Sequence, residues 1–179
     1  RSQRGASFTT EDFEQSMARF LPDMEFAACT EPVSSRSDDA CFAPGGLAPG
    51  FSVRSGSGFG VLSLGRGLVG FASMTLGGWP YRLNPTSINS TRVEFDDGPT
   101  VVAADVFGFR IVNGNASGEV APVRIEAFDL SGASMGSYVV TPPAFNQPAF
   151  AGFSSPEPIG AVEFAPQEEA VGVQIDNLL

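Results

Sequence analysis

Beyond Phe51 the chain is written in short alternating runs: "FSVRSGSG", "STRVEF", "VVAADVFGFRIVNG", "VRIEAFDLSG", "GSYVVTPP", "AFAGFSS" and "IGAVEFAP". The closing run, "VGVQIDNL", sets Val171, Val173 and Ile175 against Gly172, Gln174 and Asp176, the two-residue period of a strand with a buried face. Pairs such as Asp97-Gly98, Asn113-Gly114 and Ser131-Gly132 punctuate the runs as turns. Eight or nine strands, about ten residues apart, predict a two-sheet antiparallel sandwich or barrel. One segment reads differently. In "TTEDFEQSMARFL", Phe13, Met17, Phe20 and Leu21 fall on one helical face, Thr9 and Asp12 fit a capping box, and Pro22 stops the run.

The size of the chain, 179 residues, suits one domain with its own core. Residues 1–50 read as the helix and a polar loop, and 51–179 as the main sandwich. No apolar run is long enough to cross a bilayer as a helix. Cys29 and Cys41 bracket "TEPVSSRSDDA", a loop-like stretch. A disulfide there, with an oxidising compartment, is the expectation; two free thiols are the alternative.

Charge narrows the partners. All ten basic residues are Arg, there is no His, and the net charge is −10. Broad attraction to nucleic acid or to an anionic membrane is therefore disfavoured, and His-based nucleophilic or zinc chemistry lacks its usual residue. The stretch from Cys41 to Arg92 holds no acid, yet contains Arg54, Arg66, Arg82 and Arg92. It is either a chance consequence of a Gly-rich region or a positive patch suited to a carboxylated or sulfated ligand.

Four stretches, "DFEQ", "CFAPGGLAPGFSV", "FAGFSSPEPIGAVEF" and "VGVQIDNL", resemble in order and spacing the bacterial extracellular jelly-roll domains. These are of the PEP-CTERM-associated, galactose-binding-like type, similar to carbohydrate-binding modules. The resemblance runs from Phe13 to Leu178 and implies a jelly-roll sandwich that is secreted or held at the cell surface. It also implies that the first and last strands lie side by side and hold a structural calcium through Glu14 and Asp176. Hard cations take six to eight oxygens, which carboxylates and carbonyls supply. The alternative for Asp176 is a solvated position on an edge strand.

Trp79, Tyr81 and Arg82 in "LGGWPYRLNP" form the candidate ligand platform, an aromatic face beside a phenol and a guanidinium on a segment bent by Pro80 and Pro85. The alternative for Trp79 is core packing. Asp96-Asp97 in "EFDDGPT" reads as a hairpin turn, since paired glycosidase carboxyls sit on separate elements across a cleft. The leading expectation is a non-catalytic extracellular module for a polysaccharide, another glycan or a cell-surface protein, with structural calcium. An enzyme, a polysaccharide lyase or glycosidase, would instead gather Asp96, Asp105 or Glu126 with an Arg or Tyr in a deep cleft. A structural surface or matrix protein would show an exposed apolar patch or an open edge strand.

Overall fold

A computed structural model describes residues 10–15, 26–39, 41–55, 61–66, 74–79, 90–112, 115–169 and 171–179. The alternating runs do fold as strands. In chain order these are β1 (Phe26–Ala28), β2 (Val33–Ser34), β3 (Phe51–Ser55), β4 (Val61–Arg66), β5 (Met74–Trp79) and β6 (Thr91–Phe95). They continue as β7 (Val101–Val112), β8 (Asn115–Val120), β9 (Val123–Asp129), β10 (Ser134–Val140), β11 (Ala149–Ser154), β12 (Ile159–Pro166) and β13 (Val171–Asp176). Every pairing is antiparallel. One sheet of seven strands runs β1-β4-β5-β13-β7-β11, with β8 also on β7; the other, of six, runs β10-β9-β12-β6-β3-β2.

The two sheets form a sandwich around one apolar core. Val102, Ala104 and Val106 of β7 and Val171, Val173 and Ile175 of β13 enter it from one side. Val93, Val123, Ile125, Val162 and Phe164 enter from the other. The alternating residues on these strands therefore face outward, and this phase assigns the outer faces described below.

The closing strand is not an edge. β13 lies between β5 and β7, with register Gln174↔Gly77 and Asp176↔Asp105. All six of its residues are buried, Asp176 fully so. The solvated-edge reading of Asp176 fails because alternation along one strand reports a buried face but not the strand's neighbours.

The helix expected over "TTEDFEQSMARFL" is not formed where the structure describes that stretch. Glu11 makes a β-bridge to Leu178, with both N–H···O bonds in place (2.8 and 2.9 Å), so its backbone is spent on the chain's other end. Phe13 has φ 56°, outside helical space, and its ring is fully buried in the core. The Glu11 carboxylate then acts as a local staple: Oε1 accepts from Phe13 N (2.9 Å) and Oε2 from Ala48 N (2.7 Å). Residues 16–25 lie outside the described set.

Cys29 and Cys41 are joined as a disulfide. Asp39 organises the loop they close, accepting from Thr30 N and Cys41 N at 2.7 Å and from Phe42 N at 3.1 Å. A disulfide fits an oxidising compartment.

Candidate functional site

On the outer face of the seven-stranded sheet, register aligns Phe150 of β11 with Asp105 of β7, and Asp105 with Asp176 of β13. Directly opposed residues in such a ladder have Cβ atoms about 4.5–5.5 Å apart. Two carboxylates thus face each other across β7 and β13, an arrangement that needs compensation. Asn177 supplies it. Its backbone N–H donates to Asp176 Oδ1 (2.8 Å), and its side-chain Nδ2 donates to Asp105 Oδ2 (2.8 Å).

A bulge makes that reach possible. Asp176 is opposite Asp105, yet Leu179 rather than Leu178 exchanges both backbone bonds with Ala103 (2.8 and 3.2 Å). The closing segment therefore carries one extra residue, and Asn177 takes φ 49° there. Asn tolerates this left-handed conformation better than most residues, and bulges re-aim side chains in this way. Leu178 meanwhile bonds to Glu11 on the other side, so the two ends of the described chain flank the site.

Phe150 completes the arrangement. The residue is 67% exposed, the largest value among the exposed large hydrophobics of the described residues. It lies in the phase of Gly152 and Ser154, opposite to Ala151 in the core. An exposed aromatic ring beside an acid and an amide held in fixed positions presents a C–H-binding face next to hydrogen-bonding oxygens.

The rest of this face is closed. Phe107, Phe109, Thr75 and Gln174 are all buried, and Thr75 Oγ1 bonds Gln174 Oε1 at 3.1 Å. Phe145, from the β10–β11 connection, packs edge-on against Phe109 with centroids 6.1 Å apart. A Cβ on Gly172 would come within 2.6 Å of the Phe109 ring, so only glycine lets that ring lie over β13.

The outer face of the six-stranded sheet has a different chemistry. Arg54, Arg92, Glu163, Glu126 and Ser137 form one row across β3, β6, β12, β9 and β10. Arg54 pairs with Glu94 (2.6 Å), Arg92 with Glu94 (3.2 Å) and Glu163 (3.4 Å), and Arg124 with Glu126. Arg92 also lies 4.4 Å from the Phe128 ring centroid. Ser134 donates to Glu126 Oε1 (2.7 Å), and that bond above all, helped by Arg124, lowers the Glu126 pKa. The positive patch suggested by the acid-free stretch is therefore neutralised at Arg54 and Arg92, because register brings in acids from β6 itself and from β12.

The carboxylates considered for catalysis do not converge. Asp105 faces out from the seven-stranded sheet and Glu126 from the six-stranded one. Asp96 and Asp97 are exposed in the turn that leads from β6 to β7. That turn passes from one sheet to the other, so it is a crossover and not the hairpin its sequence suggested.

Trp79 is the last residue of β5, opposite Val61 and two residues beyond Gly77, the partner of Gln174. Tyr81 and Arg82 lie outside the described residues, so the structure does not place that platform. Glu14 is exposed in a turn, where its N–H donates to Asp12 Oδ1 (3.2 Å), whereas Asp176 is buried. Among the described residues, no group of three or more His, Cys, Asp or Glu side chains is arranged to hold a metal. Phe150 is the site residue that the sequence did not single out, and Asn177, a possible support for a calcium at Asp176 by the family resemblance, instead bonds Asp105. The available signal was an aromatic residue in the polar phase of "AFAGFSS".

No protein-family model matches the chain, and no curated protein sequence matches it significantly. Among solved structures it is similar to the enzymatically active domain of bacteriophage CBA120 tailspike protein 4 (13% identity, TM-score 0.42), over 73% of this chain and 19% of that one. It is also similar to an arabinose-bound α-L-arabinofuranosidase, MgGH51 (8% identity, TM-score 0.38), over 71% of this chain and 23% of that one. A mutant of CBM29-2, a family 29 carbohydrate-binding module, gives 12% identity and a TM-score of 0.41, over 86% and 87% of the two chains. The chain thus spans less than a quarter of the first two. These are distant likenesses of architecture, and the functional reading below rests on this chain's own residues.

Proposed function

We propose that the chain is a non-catalytic extracellular binding module for carbohydrate, with its ligand face on the outer side of the seven-stranded sheet. One observation carries the reading: Phe150 is exposed on a regular strand, directly beside an Asp105–Asn177 pair fixed by a bulge. Aromatic faces stack on the C–H faces of sugars, and rigid polar groups beside them set orientation. The separation of Asp105, Glu126 and Asp96 onto different faces and a crossover favours binding over the two-carboxylate chemistry of a glycosidase. Trp79, Tyr81 and Arg82 are proposed as a second contact beyond the end of β5. The disulfide supports the extracellular placement, and the PEP-CTERM-associated parentage is proposed on the sequence resemblance.

Binding to an array of neutral, acidic and amino glycans by the wild type, Phe150→Ala and Trp79→Ala tests this. The proposal expects Phe150→Ala to lose binding at an unchanged melting temperature. Binding that survives Phe150→Ala undiminished overturns the assignment.

A structural calcium at Glu14 and Asp176 belongs to the same proposal through the family resemblance. Side-by-side chain ends support it. With two carboxylates named, most of its six to eight oxygens would come from backbone carbonyls and water. Millimolar calcium should raise the melting temperature of metal-stripped wild type and leave Asp176→Asn unmoved; no shift in the wild type removes calcium from the account.

A further inference from the structure

Resting on that reading, we infer that the sugar taken at Phe150 carries a protonated amine: the site is built for an amino sugar rather than a uronic acid or a sulfated glycan. Asn177 turns its backbone N–H to Asp176 and a side-chain N–H to Asp105. Its backbone N–H and one of its two side-chain N–H groups are thus directed at the protein's own carboxylates, and beside the ring Asp105 offers acceptor oxygens. Asp105 is the part-exposed carboxylate beside Phe150, on a chain of net charge −10; Asp176, in the same row, is fully buried and serves the protein rather than the ligand. The arginine on the same strand, Arg110, is engaged elsewhere, by Glu168 at 2.5 Å and Glu119 at 3.6 Å.

A ligand that complements this set brings hydrogen-bond donors and positive charge. Hydroxyls satisfy the first demand alone, whereas an ammonium satisfies both. It also gains from the exposed ring, since a cation over an aromatic face is attracted by the ring quadrupole. Carboxylated or sulfated sugars meet like charge with no described cation to receive them, which reverses the expectation drawn from the acid-free stretch of sequence.

The test is calorimetric titration at about pH 5, where the amine of a glucosamine oligomer carries its proton. The probes are an oligosaccharide of β-1,4-linked glucosamine, its N-acetylated counterpart, and an oligogalacturonate. The glucosamine oligomer should bind at least about tenfold more tightly than the acetylated one, the size of effect a charge-assisted hydrogen bond supplies, and the oligogalacturonate should not bind. Asp105→Asn should bring the first two within about twofold of each other. Phe150→Ala, a change at an exposed position, should abolish binding of both while the melting temperature stays unchanged. Equal binding of acetylated and free-amine oligomers, or binding of the oligogalacturonate, overturns the amino-sugar inference but leaves the carbohydrate reading standing. Failure of all three probes, and of every glycan on the array, overturns both.

Discussion

Asn177 donates a side-chain N–H to Asp105 Oδ2 at 2.8 Å across the bulge that ends β13, while its backbone N–H goes to Asp176. One residue thereby compensates two carboxylates that register sets face to face. This accounts for an aspartate followed by an asparagine at the end of a buried strand. The acid lies on the covered outer face of a central strand, and the amide beside it is the clamp.

Asn177→Ala should therefore destabilise the fold by about 1–3 kcal/mol, combining a lost charge-assisted hydrogen bond with a left-handed backbone position that alanine resists. Asn177→Gly relieves the backbone and loses only the bond, so it should cost less. Denaturant unfolding of the three proteins checks the order.

The Tyr138 hydroxyl joins the two sheets at their edge. It donates to Gly152 O and accepts from Gly152 N, both at 2.8 Å, and its ring lies 5.2 Å from that of Phe153. Gly152 lies on an edge strand, so this hydroxyl occupies backbone groups that a further strand would otherwise take. Tyr138→Phe should cost about 0.5–1.5 kcal/mol, the net worth of an ordinary hydrogen bond, and should increase self-association measured by sedimentation by opening these groups to another strand.

Burial raises the Tyr138 pKa. A raised folded pKa means that its contribution is complete below the unfolded value, about 10, and is lost as pH rises through the folded one. Alkaline unfolding should show that loss in the wild type and not in Tyr138→Phe.

Arg92 serves three partners: Glu94, Glu163 and the face of Phe128. Without it, Glu163 faces Glu126 directly across β12 and β9 with only Arg124 beside them. Arg92→Ala should cost about 1–2 kcal/mol near neutral pH, and the difference should shrink in about 1 M salt, where the Debye length is near 3 Å. The lowered pKa of Glu126 carries the opposite sign from that of Tyr138. Its contribution is present above the unfolded value and lost as pH falls through the folded one, and Ser134→Ala should reduce it.

The Cys29–Cys41 disulfide closes a loop of sequence separation 12 that carries Asp39 and three of its N–H bonds. Replacing both cysteines with serine should cost on the order of 3 kcal/mol, the scale of loop-closure entropy for a crosslink of this span. Thermal unfolding with and without reductant reads the same quantity in the wild type.

The alternating text of the second half announced strands and a sandwich because a two-residue period has one physical meaning when one face is buried. It did not announce which strand is central. β13 has two neighbours and a cover on its outer face, and these come from residues about 60 to 100 positions away, beyond the reach of a local pattern. The apparent helix at Phe13 failed for the same reason. Its apolar spacing was helical, but Glu11 found Leu178 and Ala48, and Phe13 found the core, through contacts invisible in the segment itself. Phe150 was legible as an anomaly of phase, whereas Asn177 needed the bulge to reveal its reach.

The most direct test of the account is a backbone-amide NMR titration of the isotope-labelled chain with a glucosamine oligosaccharide. The account predicts saturable shifts centred on Phe150, Asp105 and Asn177, spreading to neighbours on β11 and β7, and absent in Phe150→Ala. Saturable shifts confined to the Arg54–Glu126 face of the six-stranded sheet, or none at all with any glycan offered, would contradict it.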